Sequence, residues 1–183
     1  MNLENALLSP EQLYLEEMEK IAYALTKHQR DFDHLLQLIA SDNRVLSKRA
    51  AWCFSLAADI KPSWIYSRQA RLVNILLMPG VPEGAVRNVL RVLRNCSLNK
   101  DIWEPLTFYC FKCVEDPDEP IAIRAFCIHI LGKLALEIPD LIPEVKAIIG
   151  FHFTIATPGL VSAGKSVLDM LKKKEARGRA KAD

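Results

Sequence analysis

The sequence repeats a pattern of two apolar segments at a spacing of about 37 residues. The first segment of each pair keeps this spacing closely, as LLQLI at 35–39, LVNIL at 72–76, YCFKC at 109–113 and KAIIG at 146–150. Three of the second segments follow an arginine, and Arg49, Arg87 and Arg124 are separated by 38 and 37 residues. A period of this length is typical of proteins in which one small structural unit stacks on the next. The repeat therefore constrains the fold more than any single motif does.

The apolar segments have helical periodicity, and polar or proline-bearing corners separate them. The corners between pairs are KPSW at 61–64, NKDIW at 99–103 and IPD at 138–140. Trp64 and Trp103 lie at equivalent corners, where we expect them to pack. The chain has 7 Gly and 10 Pro, and an all-β chain would need more turns. These patterns predict an all-α fold of four helical hairpins at about 31–60, 65–98, 104–137 and 140–174. Strand alternation competes only over Phe151 to Thr157.

The two ends of the chain are predicted to differ from the repeats. Ser9 suits a helix N-cap, Pro10 suits the first helical position, and Gln12 completes the spacing of a capping box. We therefore predict a capping helix over 10–28. The last residues, KKKEARGRAKAD from Lys172, include six basic side chains, and we expect a flexible basic tail over 175–183. The expected organisation is a single domain over 1–174.

Composition indicates a soluble globular protein. Half of the 183 residues are hydrophobic, a quarter are charged, and the net charge is +2. The N-terminus does not resemble a signal peptide, and no apolar stretch reaches the ~18 residues that a membrane helix needs. The five cysteines lie inside helical patterns without disulfide-type spacing, which favours buried thiols in a reducing compartment. We expect a cytoplasmic protein.

With this period, residues 31–174 resemble a HEAT or armadillo-type α-solenoid. In the HEAT pattern, an acidic turn residue and an arginine of the second helix flank an apolar helix with a small residue at the inter-helix contact. The matching residues are Asp42 with Arg49, Glu83 with Arg87, Asp118 with Arg124, and the small residues Ala57 and Gly132. Val161 replaces the arginine in the fourth hairpin, which is then either a degenerate terminal unit or a different element. The resemblance implies a right-handed α-α superhelix whose second helices line a binding groove.

Residues 159–166, GLVSAGKS, match the G-x-x-x-x-G-K-[ST] pattern of a phosphate loop. Such a loop joins a strand to a helix in a parallel sheet, so that its backbone amides surround the phosphates. Here only 17 residues follow Ser166, and the upstream sequence is a helical repeat. We therefore predict a second helix over 158–171 that begins at Pro158. Its packing residues are predicted to be Leu160, Val161, Val167, Leu168 and Leu171.

Four residues have spacings that resemble those of a zinc site, namely Cys110, Cys113, Cys127 and His129. Cys127 and His129 are two residues apart on one predicted helix, which separates their side chains by about 200°. They cannot both face one ion, and Cys110 and Cys113 equally suit a helix core. We expect no metal site.

The second helix of the second hairpin carries Arg87, Arg91 and Arg94, which form one basic ridge. If the second helices line a groove, the neighbouring hairpins add further basic and aromatic side chains to it. The candidate groove residues are Arg44, Lys48, Trp52, Arg87, Arg91, Arg94, His129 and Lys133. Such a surface attracts phosphate groups or an acidic peptide. The alternative is that Arg87 makes a contact within the repeat while Arg91 and Arg94 are solvated.

No motif forms a catalytic constellation, and we predict a non-enzymatic scaffold that binds an unknown protein or peptide through this groove. The alternative is a nucleic-acid-binding protein related to HEAT-like DNA alkylation-repair proteins. A repair glycosylase needs a carboxylate in the groove, and Asp59 is the nearest candidate. A fumarase-type lyase does not fit, because the chain is too short and lacks that family's Ser- and Gly-rich loop. We expect no cofactor, no membrane partner, and a monomer or weak dimer.

Overall fold

The computed structural model of the chain describes residues 2–9, 13–153 and 157–179. Every regular element within these ranges is a helix, which confirms the all-α prediction. The α-helices are α1 (Leu3–Leu7), α2 (Leu15–Leu25), α3 (Gln29–Ile39), α4 (Arg44–Ile60), α5 (Gln69–Leu77), α6 (Glu83–Asn95), α7 (Trp103–Glu115), α8 (Ile121–Glu137), α9 (Ile142–Phe153) and α10 (Pro158–Arg179). Short 3₁₀ turns occupy corners at Pro62–Trp64, Tyr66–Arg68, Lys100–Ile102 and Pro139–Leu141. The competing strand is wrong where it overlaps the described residues, because residues 151–153 are helical.

The helices form the four predicted hairpins, in which α3, α5, α7 and α9 are the first helices and α4, α6, α8 and α10 the second. The chain divides into two compact units, residues 1–102 and 103–183, with two hairpins in each. The single domain over 1–174 and the superhelical arrangement of all four hairpins stay predictions. Residues 175–179 of the predicted flexible tail belong to helix α10.

The N-terminal part of the first unit differs from the sequence prediction. A short helix, α1, was not predicted, and α2 begins at Leu15 rather than near residue 10. The N-cap of α2 is Tyr14, whose backbone N–H donates to Glu17 Oε2 at 3.0 Å, so the assignment of Ser9 to this cap is wrong. Pro10 and Gln12 lie outside the described residues. Arg49 of α4 secures the segment after α1, because its Nη1 donates to the carbonyl oxygens of Leu7 and Ser9 at 2.8 and 2.9 Å.

The core of the first unit forms where α3, α2 and α6 pack around α4. Phe32 and Phe54 are fully buried there, with ring centroids 4.7 Å apart. Trp64 stands edge-on to Phe32 at 5.5 Å, so this tryptophan packs at its corner as predicted. Aromatic pairs at such distances contribute about 1 kcal/mol beyond the area that they bury.

The first two hairpins are also joined by an ion pair between a buried arginine and a partly exposed aspartate. Arg68 is 6% exposed and binds Asp33 of α3 through two hydrogen bonds of 2.8 Å, from Nε and Nη2. Its Nη1 also donates to the carbonyl oxygen of Trp64 at 2.8 Å. These bonds fix the start of α5 against α3.

The repeat period reappears in the structure as the register between neighbouring helices. Arg44 of α4 donates to the carbonyl oxygen of Gly80, and Arg91 of α6 donates to that of Ser55, and both contacts span 36 residues. The two second helices therefore run side by side in the same direction. Equivalent positions of the first two repeats are therefore spatial neighbours.

In the second unit, α8 packs against α7 and α10, and Gly132 permits the close approach of α8 to α10. A Cβ at this glycine would lie 2.7 Å from Val167 Cγ1 and 2.9 Å from Met170 Cε. The predicted small residue at this inter-helix contact is therefore required by packing.

The three repeated arginines are not structurally equivalent, which corrects the sequence alignment. Arg124, the fourth residue of α8, is buried and donates through Nη2 to the carbonyl oxygen of Val114 at 3.0 Å, near the end of α7. The fourth residue of α4 is Ser47, whose hydroxyl donates to the carbonyl oxygen of Ile39, the last residue of α3, at 2.6 Å. Ser47 is thus the counterpart of Arg124. Asp42 and Arg49, and Glu83 and Arg87, match the HEAT pattern in sequence but form no ion pair in the part of the chain that the structure describes, whereas the pairing of Asp118 with Arg124 stays a prediction.

Candidate binding surface

Six of the eight candidate groove residues lie on the adjacent helices α4 and α6 of the first unit. Helix α4 carries Arg44, Lys48 and Trp52, and α6 carries Arg87, Arg91 and Arg94. Arg44, Lys48 and Arg87 are exposed, whereas the other three side chains are half-buried. We call Arg44, Lys48, Arg87 and Arg91 the basic row.

The α4 end of the basic row is held against the N-terminal part of α6. Arg44 Nη1 lies 3.4 Å from the carbonyl oxygen of Gly80. The Lys48 stem lies over Gly84, with Cδ 3.3 Å from the position that a Cβ would take there. Lys48 itself is exposed, so its stem packs on the protein while its ammonium group faces water.

A hydrogen-bond network fixes Arg91 of the basic row. Arg91 Nη2 binds Asp59 Oδ2 at 2.6 Å, and its Nη1 lies 3.3 Å from the carbonyl oxygen of Ser55. The Ser55 hydroxyl donates to Asn88 Oδ1 at 3.2 Å, and Asn88 Nδ2 donates to the carbonyl oxygen of Gly84 at 2.8 Å. Arg91 is thereby positioned by both helices. The ion pair is partly exposed and contributes at most about 1 kcal/mol to stability.

The contacts of Arg87 and Arg91 differ from the sequence interpretation in which Arg87 makes an internal contact and Arg91 is solvated. Arg91 makes the contact between repeats, and Arg87 is exposed without an ion-pair partner among the described residues. Arg94 is half-buried and donates through Nε to Asn95 Oδ1 at 3.2 Å. The interpretation in which Arg87 makes the internal contact and Arg91 is solvated is therefore wrong. Sequence reasoning missed Ser55 and Asn88, although Ser55 and Arg91 are one repeat apart.

His129 and Lys133 belong to the second unit, one helical turn apart on α8, and both are half-buried. A common groove that includes them and the basic row stays a prediction.

The cysteines that resembled zinc ligands form a buried thiol cluster between α7 and α8. Cys110, Cys113 and Cys127 are all buried and carry no disulfide. A hydrogen bond with Cys127 and burial raise the pKa of Cys113, and a hydrogen bond with Cys110 raises the pKa of Cys127. Burial likewise raises the pKa of Cys53 to about 12. In the described ranges no group of three or more His, Cys, Asp and Glu side chains has metal-binding geometry.

The segment that matches a phosphate loop lies in the first turns of α10. This helix begins at Pro158, as predicted, and buries Leu160, Val167 and Leu171. The predicted second helix is confirmed. Residues 159–166 are helical, and so they do not form the open loop that would surround a phosphate.

Paired helices that repeat every 37 residues, with equivalent positions in contact, define an α-helical repeat protein. The family model of the HEAT repeat domain matches residues 5–171. The chain belongs to the HEAT repeat family. No curated protein and no solved structure has significant similarity to it. Among the described residues, no helix combines the length and the hydropathy needed to cross a membrane.

Proposed function

We propose that this protein is a non-enzymatic interaction scaffold whose basic row binds an acidic segment of a partner protein. The observation that carries the proposal is the exposure of Arg44, Lys48 and Arg87 on two helices that are packed in register. Arginine and lysine side chains recognise carboxylates through charge-assisted hydrogen bonds. Because α4 and α6 are held together by several contacts, these cations are presented on a preorganised surface.

A nucleic acid is the second candidate partner, favoured by the density of arginine beside Trp52. One observation favours an acidic protein segment instead. Trp52 is half-buried, which limits the ring face available to a stacked base. Asp59, the carboxylate that a repair glycosylase would need, is engaged in the ion pair with Arg91.

The proposal is tested by fluorescence anisotropy with two labelled probes, a Glu- and Asp-rich peptide and a duplex DNA of equal charge. The variant Arg44→Glu with Arg87→Glu should weaken peptide binding by about tenfold or more, since two favourable charge contacts become repulsive. The matched control is Lys27→Glu with Arg30→Glu, which reverses two exposed charges elsewhere in the first unit. Circular dichroism checks that both variants keep their helix content.

The proposal is supported if the peptide binds and the variant Arg44→Glu with Arg87→Glu weakens that binding. The nucleic-acid alternative is favoured if DNA binds more tightly than the peptide at physiological salt and the same variant weakens DNA binding. Equal weakening by the control variant contradicts the assignment of the basic row.

A further inference from the structure

A groove of about 630 Å³ lies between the first helices α7 and α9 of the second unit. The residues that line it are Phe111, Glu115, Glu144, Ala147, Ile148 and Phe151. Phe151 is 74% exposed. Phe108, which precedes Phe111 by one turn of α7, is also 70% exposed. Exposed apolar side chains grouped at a groove mark a binding site more often than scattered apolar residues do.

The repeat shows that these apolar residues are not demanded by the fold. Steps of 37 residues through the first helices give Gln37, Asn74, Phe111 and Ile148. Gln37 and Asn74 are exposed polar side chains, whereas Phe111 and Ile148 line the groove. The same position on a HEAT hairpin therefore accepts a polar residue in the first unit and carries an apolar one in the second. Phe111 and Ile148 are only half-buried, so the change adds apolar surface that the fold leaves accessible.

The surroundings of the groove are acidic. Glu115 and Glu144 line it with exposed side chains. The nearby cations are Lys112, which is exposed, and Lys146, whose Nζ binds Glu175 Oε1 at 2.7 Å. The residues that line the groove thus include two carboxylates and no lysine or arginine, beside the apolar side chains.

We propose that this groove binds a basic amphipathic helix of a partner protein. Apolar side chains at three- and four-residue steps of that helix would enter between Phe111 and Ile148, and flanking Lys or Arg side chains would pair with Glu115 and Glu144. A groove of this volume takes a few large side chains. The site lies wholly in the second unit and does not depend on the basic row, so either proposal can fail without the other.

The test measures binding of a labelled synthetic helix to the full chain by fluorescence anisotropy. The probe is a peptide of about 18 residues, long enough to form a helix, with leucine at helical spacing on one face and lysine on the other. A second peptide replaces every lysine with glutamate. The lysine peptide should bind and the glutamate peptide should not, and binding should weaken with added salt.

Charge reversal locates the site. The variant Glu115→Lys with Glu144→Lys should weaken binding of the lysine peptide by about tenfold or more. The control variant, Glu19→Lys with Glu83→Lys, changes the net charge equally at exposed positions of the first unit and should leave binding within about twofold.

Filling the groove tests the apolar contact without a change of charge. Ala147 is exposed and lines the groove, so Ala147→Trp occupies the space while the fold is kept. It should abolish peptide binding, whereas Ala176→Trp, at an exposed position of α10, should not. Circular dichroism and urea unfolding confirm that both variants are folded.

The proposal is overturned if the lysine peptide does not bind, if the glutamate peptide binds equally well, or if the control variants weaken binding as much as the groove variants do. Sedimentation equilibrium supplies a further outcome. Self-association that Ala147→Trp abolishes, without peptide binding, would assign the groove to a contact between two copies of the chain and would also overturn the proposal.

Discussion

Arg68 is a buried cation whose charge is balanced by Asp33 across the first two hairpins. Asp33 also binds Arg71, an exposed residue one helical turn further along α5, at 3.0 Å. The hydrogen bond from Arg68 is the main cause that lowers the pKa of Asp33, and burial opposes it. The Asp33 carboxylate thus pairs with two arginines. Removal of this carboxylate leaves the Arg68 side chain, which has little access to water, without its ion-pair partner.

We predict that Asp33→Asn lowers the free energy of unfolding by about 2 kcal/mol, because it leaves the Arg68 charge without its partner. The control is Asp31→Asn, whose neighbour Arg30 is 3.9 Å away and almost fully exposed. It should cost less than about 0.5 kcal/mol. Urea unfolding at pH 7 measures both variants, and equal losses would contradict the role assigned to Asp33.

The same pair predicts part of the acid sensitivity. Because the folded-state pKa of Asp33 is lowered, its contribution to stability is complete above the unfolded pKa of about 3.9. That contribution is lost as the pH falls through the folded pKa. Unfolding curves between pH 7 and pH 3 should therefore show a smaller loss of stability in Asp33→Asn than in the wild type.

At the scale of elements, the approach of α8 to α10 is set by one missing Cβ. We predict that Gly132→Ala destabilises the protein by about 1–2 kcal/mol, because overpacking against Val167 and Met170 exceeds the gain in helix propensity. Gly150→Ala is the matched control, since nothing lies within 4 Å of its added Cβ in α9. It should be neutral or stabilise by up to about 1 kcal/mol.

A double-mutant cycle measured by urea unfolding identifies the cause. The cost of Gly132→Ala should fall when Val167→Ala has already removed the methyl groups that it meets. If the cost is unchanged in that background, the close approach is not the origin of the effect.

The helices and hairpins could be predicted from sequence because apolar periodicity and a 37-residue period are strong, redundant signals. The arginine alignment failed because residue type is a poor guide to register. The hydroxyl of Ser47 and the guanidinium of Arg124 both donate a hydrogen bond to a carbonyl oxygen near the end of the preceding helix. The N-cap of α2 was missed because it is Tyr14, and tyrosine is not a typical capping residue. The backbone N–H of Tyr14 donates a hydrogen bond to the Glu17 carboxylate.

The sequence predicted which helices carry the candidate residues but not the contacts that those residues make. Sequence periodicity placed Arg87 and Arg91 on one face, but it could not show which of them α4 engages. That choice depends on the position of Asp59 at the far end of α4, which the offset between two packed helices determines. The groove between α7 and α9 contains no recognisable sequence motif. In the sequence it is marked only by a change at one repeat position, from polar Gln37 and Asn74 to apolar Phe111 and Ile148.

At the scale of the whole molecule, several core residues belong to the first unit, and Phe32, Phe54, Leu72 and Leu90 among them are fully buried in the whole chain. We predict that a fragment of residues 1–102 unfolds cooperatively in urea. A fragment of residues 1–60, with one hairpin, should not, because one helical pair cannot bury both of its apolar faces. A non-cooperative transition for residues 1–102 would show that its hairpins need more of the chain.

The register between α4 and α6 also determines how far apart in the sequence the residues that contact one ligand lie. A ligand that lies across the second helices contacts residues that are about one repeat apart, as Ser55 and Arg91 are. A ligand that lies along one helix contacts residues three or four apart. In protection or cross-linking data, contacts about one repeat apart would indicate a partner that lies across α4 and α6, and contacts three or four residues apart would indicate a partner that lies along one helix.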